Sequence, residues 1–206
     1  MSTPSELLRT RHAEVTRARL IEAASTMFVE QGYAEVTVRD LARACGVTTG
    51  ALYAHFRNKA ALLVEAIHER MKTDLEVPPR GTGEPIDVTR AVLGQFSSQT
   101  ARSGLRALLL EGASAARRDP EVRAQLREVQ LEYIEWWNEN YRVWQDEHGV
   151  DPDIDTDAMV ALFWSAELGL GMLEAWDVEV PPADAMRKLA ASILRSVGAD
   201  PATPAR

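Results

Sequence analysis

The stretch Thr37-Val-Arg-Asp-Leu-Ala-Arg-Ala-Cys-Gly46-Val-Thr-Thr-Gly-Ala-Leu-Tyr-Ala-His-Phe-Arg-Asn-Lys59 restricts the fold more tightly than any other part of the chain. Thr37 can accept a backbone N–H at a helix start, and Asp40 follows three residues later, the spacing of a capping box. The helix it opens is only about two turns long, because Gly46 permits a positive φ that stops it. Thr48 or Thr49 can cap a second short helix that ends near Phe56. Leu41, Val47 and Leu52 supply a small apolar wedge between the two, and Ala42 is small enough to let them cross closely. Two short helices joined by a three- to four-residue turn containing glycine form a helix-turn-helix.

The rest of the chain is also helical in pattern. Leu20, Ile21, Ala24, Met27 and Phe28 recur at helical spacing, and Gly32 can close that helix. Val77-Pro-Pro-Arg-Gly-Thr-Gly-Glu-Pro85 holds three prolines and two glycines, so no helix continues through it. Helical patterns follow over 86–100, 104–117, 120–147, 156–176 and 182–198. Asp119-Pro120 and Pro181-Pro182 mark starts, and Gly149 and Gly198 mark ends. No segment sustains a β alternation. The expectation is an all-α chain: a three-helix unit with the helix-turn-helix over 10–58, a helical domain over 59–198, and a disordered tail over 199–206.

Charge divides along the same line. The chain has a formal net charge of −8, which speaks against a nucleic-acid binder only as an average. Residues 1–75 hold 10 basic against 9 acidic side chains, while 76–206 hold 13 against 22. The acidity belongs to the second part. A single cysteine, Cys45, excludes an intrachain disulfide, and neither a secretory signal nor a bilayer-length apolar run is evident. The expected location is the cytoplasm, with no membrane partner.

In a helix-turn-helix the second helix enters the major groove, with its first turn at the base edges. That turn is Thr48, Thr49, Gly50 and Ala51: hydroxyls serve either kind of base, and the Ala51 methyl can meet a thymine methyl. Tyr53, His55 and Lys59 offer donors to phosphate. Arg9, Arg11, Arg17 and Arg19 form either a phosphate-gripping arm or a solvated face.

These spacings together resemble the DNA-binding domain of the tetracycline-repressor-like (TetR) family. The resemblance spans Arg17 to Ile67. It rests on Phe28-Val-Glu-Gln-Gly-Tyr33, Thr37-Val-Arg-Asp-Leu-Ala, Cys45-Gly-Val, and Gly50-Ala-Leu-Tyr-Ala-His-Phe-Arg-Asn-Lys59 followed by Ala-Ala-Leu-Leu. Ala51 departs from the family pattern, which often has Thr or Ser there. By the resemblance, Arg39, Thr48, Thr49, Tyr53, His55 and Lys59 match positions that contact DNA. It also implies that 10–58 is a three-helix DNA-binding domain and 59–198 a helical ligand-binding and dimerisation domain, with a homodimer on a palindromic double-stranded operator released by a small-molecule effector.

Residues beyond the motif are read from their patterns. Tyr133, Trp137, Tyr141 and Trp144 share one face of a long helix, which suits either a core or a ligand pocket. Tyr133, Trp137 and Tyr141, with Phe96, Leu109, Phe163 and Trp164 on neighbouring helices, are the expected pocket wall for a largely apolar or aromatic effector. Glu111 and Glu167 are expected to orient a polar or cationic group. Residues 156–176 are apolar almost all round, and Gly169 lies four residues from Ser165. With the final helix this suits either a monomeric core or, in keeping with the resemblance, the expected four-helix dimer interface of Leu162, Ser165, Ala166, Gly169, Leu173, Met186, Ala190, Ile193 and Val197.

No catalytic constellation assembles, so an enzyme is not expected, and neither is a cofactor or a metal. Asp151, Asp153, Asp155 and Asp157 imitate a calcium loop but lack its glycine and final glutamate; they read as a loop capping the next helix. The competing function is a helical small-molecule-binding or interaction protein without operator recognition.

Overall fold

The computed structural model describes residues 4–74, 88–94, 99–148 and 150–197. These are helical, with no strand among them: α1 (Pro4–Gln31), α2 (Val38–Ala44), α3 (Thr49–Tyr53), α4 (Lys59–Asp74), α5 (Val88–Gly94), α6 (Gln99–Arg118), α7 (Pro120–His148), α8 (Thr156–Ala175) and α9 (Ala183–Ser196). The 77–85 segment, Phe96, Gly149, Gly198 and the 199–206 tail lie outside the described residues.

The helices group into two compact units, residues 1–69 with 111–127 and residues 70–110 with 128–206. Helices α4, α6 and α7 contribute to both. The N-terminal unit therefore extends past the expected boundary at 58/59, taking in most of α4 and the α6–α7 junction.

Local chemistry sets the elements of the N-terminal unit. Gly32 and Gly46 take φ of 84° and 67°, the left-handed region in which a Cβ is costly. Thr37 and Asp40 complete the capping box at α2. Thr48, rather than Thr49, caps α3, its hydroxyl oxygen accepting from Ala51 N at 3.1 Å. Asn58 Oδ1 accepts from Ala61 N at 2.8 Å and starts α4. Leu41 and Leu52 are fully buried, Val47 half-buried. Burying each such leucine contributes about 1.5–3 kcal/mol relative to exposure. Asp119 starts α7, its Oδ1 accepting from Glu121 N at 2.9 Å and Val122 N at 3.3 Å.

The core of the second unit joins Val88 and Val92 of α5, Tyr141 and Trp144 of α7, Phe163 and Leu170 of α8, and Leu194 of α9. Trp144 satisfies its buried indole by donating to Thr89 Oγ1 at 2.9 Å. Asp155 caps α8 by accepting from Asp157 N at 2.8 Å and Ala158 N at 3.2 Å, so the aspartate run does serve the next helix. By length and composition α8 could cross a bilayer. Its buried residues, Met159, Val160, Phe163, Glu167, Leu170 and Gly171, fall at helical spacing, so one face packs as a core helix does. A Cβ on Gly171 would stand 3.0 Å from Arg106 Cβ, so a side chain there would have to push α6 and α8 apart by a few tenths of an ångström.

Candidate DNA-reading surface and effector cleft

Helix α3 is held by one buried anchor. Leu52 is fully buried, while Thr48, Thr49, Gly50 and Tyr53 around it are exposed and Ala51 and His55 half-buried. Tyr53 keeps 53% of its surface, which makes it an outward group rather than a packing one. Arg39 is exposed on α2. The Thr48 hydroxyl spends its oxygen on the cap and keeps its O–H to donate.

Lys59 faces inward instead. Its Nζ donates to Tyr33 O at 2.7 Å and Val36 O at 2.9 Å and sits 4.1 Å from the Tyr33 ring centroid. This ties the turn after α1 to the start of α4 and leaves one of three N–H groups for another acceptor. Burial lowers the Lys59 pKa, with the Asp119 and Glu35 charges opposing the shift. The Tyr33 hydroxyl is pushed up to about 12, chiefly by burial and then by the Asp119 and Glu121 charges. Of the N-terminal arginines, Arg17 pairs with Glu65 at 2.7 Å and lies over the Phe56 ring at 5.2 Å. It helps to hold its own unit together.

The second unit encloses a cleft of about 500 Å³, its open mouth included. Six expected residues line it: Tyr133, Trp137, Tyr141, Phe163, Trp164 and Glu167. Tyr133 meets Trp137 at 6.0 Å and Trp164 at 5.5 Å between ring centroids, both edge to face, and Trp137 meets Tyr141 at 5.6 Å. Burial drives the Tyr141 pKa far upward, keeping its hydroxyl neutral. Leu109 and Glu111 are not part of this lining. Glu111 belongs to the N-terminal unit, where its Oε2 accepts from Tyr33 N at 2.9 Å.

Glu167 is buried among guanidinium groups. Its Oε1 accepts from Arg106 Nε at 3.1 Å, and its Oε2 lies 3.7 Å from Arg102 Nη1. Arg106 also pairs with Glu174. The expectation that Glu167 orients a cation thus meets a carboxylate already balanced by arginines.

Residues 20–66 match the model of bacterial regulatory proteins of the tetR family. The HTH-type transcriptional regulator UidR of Escherichia coli is 29% identical over 189 residues, covering 88% of this chain and 94% of that protein. This chain carries a tetR-family DNA-binding domain. Among solved structures, a TetR-family transcriptional regulator from Rhodococcus sp. superposes with a TM-score of 0.72 at 18% identity, over 89% of this chain and 98% of that one. A transcriptional regulator from Saccharomonospora viridis in complex with choline does so at 0.62 and 20% identity, over 88% and 96%. The tetR-family match takes in α2, α3 and the parts of α1 and α4 packed around them. The function that goes with it is DNA-binding control of transcription.

Sequence reasoning missed five lining residues of this regulator's cleft: Ala91, Val92, Arg102, Leu105 and Val160. Arg102 was lost because the helical patterns stop at 100 and resume at 104, whereas α6 runs unbroken from Gln99. Arg102 and Arg106, four residues apart on a helix that also carries Leu105 and Leu108, were the available signal.

Proposed function

We propose that the regulator is a homodimeric repressor whose α3 helices read a palindromic operator and whose cleft binds a small molecule that releases it. The observation carrying this reading is the coexistence in one chain of an outward-facing α3 in a tetR-type N-terminal unit and an aromatic-walled cleft in the second unit. Thr48, Thr49, Gly50 and Ala51 face base edges; Arg39, Tyr53, His55 and the remaining Lys59 N–H face phosphates. Base contacts set the sequence, phosphate contacts the register. A protein of this kind works in the cytoplasm, binding rather than catalysing.

The dimer face is read from α8 and α9. Leu162 keeps 49% of its surface, Met172 41% and Leu189 57%, apolar exposure that a partner protomer would cover. Ser165 is exposed, with Ala166, Leu173, Met186, Ile193 and Val197 half-buried beside them. A Cβ on Gly169 meets no described atom within 4 Å, so its openness favours a close crossing with a second copy. Ala190 is buried within the chain and supports the face from behind. Two α3 helices must stand about one DNA turn apart, roughly 34–36 Å, to enter successive major grooves. An effector preferring another spacing weakens binding a hundredfold with about 2.7 kcal/mol of coupling. Helix α4, shared by both units, is the lever.

Enrichment of random duplexes on the purified chain tests this. The enriched pool should bind at least about a thousandfold tighter than the starting pool. An enriched pool no tighter than the starting one would favour the competing reading, a small-molecule-binding protein without operator recognition.

A further inference from the structure

We infer that the effector is a neutral aromatic molecule bearing one hydrogen-bond donor, a hydroxyl or N–H, that donates to Glu167 Oε2. This rests on the cleft being the effector site and specifies the chemistry it selects. Glu167 is 1% exposed and lines the cleft, and among the described residues its Oε2 has no hydrogen-bond donor, Arg102 Nη1 standing 3.7 Å away. Its other oxygen is held by Arg106 at 3.1 Å, and Arg106 is not part of the lining. The unsatisfied oxygen is therefore the one on the side of Arg102, which lines the same wall. A buried acceptor without a donor is costly, and a ligand that supplies the donor recovers that cost.

Charge decides between donor types. Among the described residues Arg102 and Arg106 pair with Glu167 and Glu174, two cations against two anions, which favours an ion of neither sign. A cationic ligand would stand beside Arg102, and an anionic one would meet Oε2 itself. Either would also pay to leave water. A neutral O–H or N–H pays far less and finds a charged acceptor, the stronger kind of hydrogen bond. Tyr133, Trp137 and Trp164 give the rest of the molecule edge and face contacts suited to a flat ring.

Calorimetric titration of the full chain with matched naphthalenes tests the inference. 1-Naphthol should bind about tenfold or more tighter than 1-methoxynaphthalene, which keeps the ring and oxygen but lacks the donor. It should also outbind 1-naphthoate and 1-naphthylmethyl-trimethylammonium. Trp137→Leu, at a half-buried position, should reduce naphthol affinity about tenfold without unfolding the chain. Methoxynaphthalene, naphthoate or the ammonium compound binding as tightly as naphthol, with Trp137→Leu still weakening all of them, overturns the donor assignment and leaves the cleft as the site. Binding indifferent to Trp137→Leu, or no binding by any member, overturns the cleft itself.

Discussion

On the proposed function, Lys59 serves two tasks with one side chain. Its position just after the Asn58 cap suggests a phosphate ligand, yet two of its three N–H groups go to Tyr33 O and Val36 O. Lys59→Met should therefore cost about 1–3 kcal/mol of stability by leaving those carbonyls without their donor, besides weakening DNA binding. Denaturant unfolding reads the first effect; an unchanged midpoint would reduce Lys59 to a phosphate contact alone. The inward turn was not legible in the sequence, since where a flexible four-carbon stem ends is set by tertiary neighbours. Capping was legible, because it is local: Thr37 with Asp40, Thr48, and Asp119 all act within three residues. Thr37→Ala should cost about 1 kcal/mol. The Thr37 hydrogen bonds hold the Asp40 carboxyl below its ordinary 3.8. The advantage of wild type over Asp40→Asn should then be complete above that value and vanish as pH falls through the lowered one. An advantage that persists in strong acid would mean the carboxylate charge is not its source.

Among elements, the aromatic stripe of α7 was legible because helical spacing alone puts Tyr133, Trp137, Tyr141 and Trp144 on one face. Which of them line a cleft was not, because that depends on the helices opposite: Trp144 is sealed against Thr89, while the other three border space. The paired glycines of α8 divide in the same way. Gly171 sits against Arg106 Cβ, whereas Gly169 meets no described atom. Gly171→Ala should lose about 1–3 kcal/mol by overpacking, enough to outweigh the roughly 1 kcal/mol that alanine gains in helix propensity. Gly169→Ala, free of that clash, should retain the propensity gain. Equal shifts in unfolding midpoint for the two variants would contradict the packing described. Gly169→Leu should convert a dimer into monomers in the ultracentrifuge; a variant sedimenting as a dimer would remove Gly169 from the interface.

For the molecule as a whole, a formal net charge of −8 coexists with DNA binding because the excess of acid over base is confined to residues from 76 onward. The near-neutral N-terminal part presents hydroxyls and a few cations, which limits non-specific affinity while leaving base contacts intact. Tyr53→Phe should accordingly weaken binding to all duplexes by a similar factor, since it removes a phosphate donor; a change confined to particular sequences would make Tyr53 a base reader instead. The helix-turn-helix and its place in the chain were readable from the motif. The extension of the N-terminal unit over 111–127 was not, because it depends on pairings such as Asn58 with Glu121, 63 residues apart. On the proposed function α3 reads bases as part of a two-fold dimer. Parallel operator selection with wild type and Thr49→Ala, followed by sequencing, tests it most directly. Each should yield a palindrome, the two differing at symmetric positions in the half-sites. Identical motifs, or no palindrome from wild type, would contradict it.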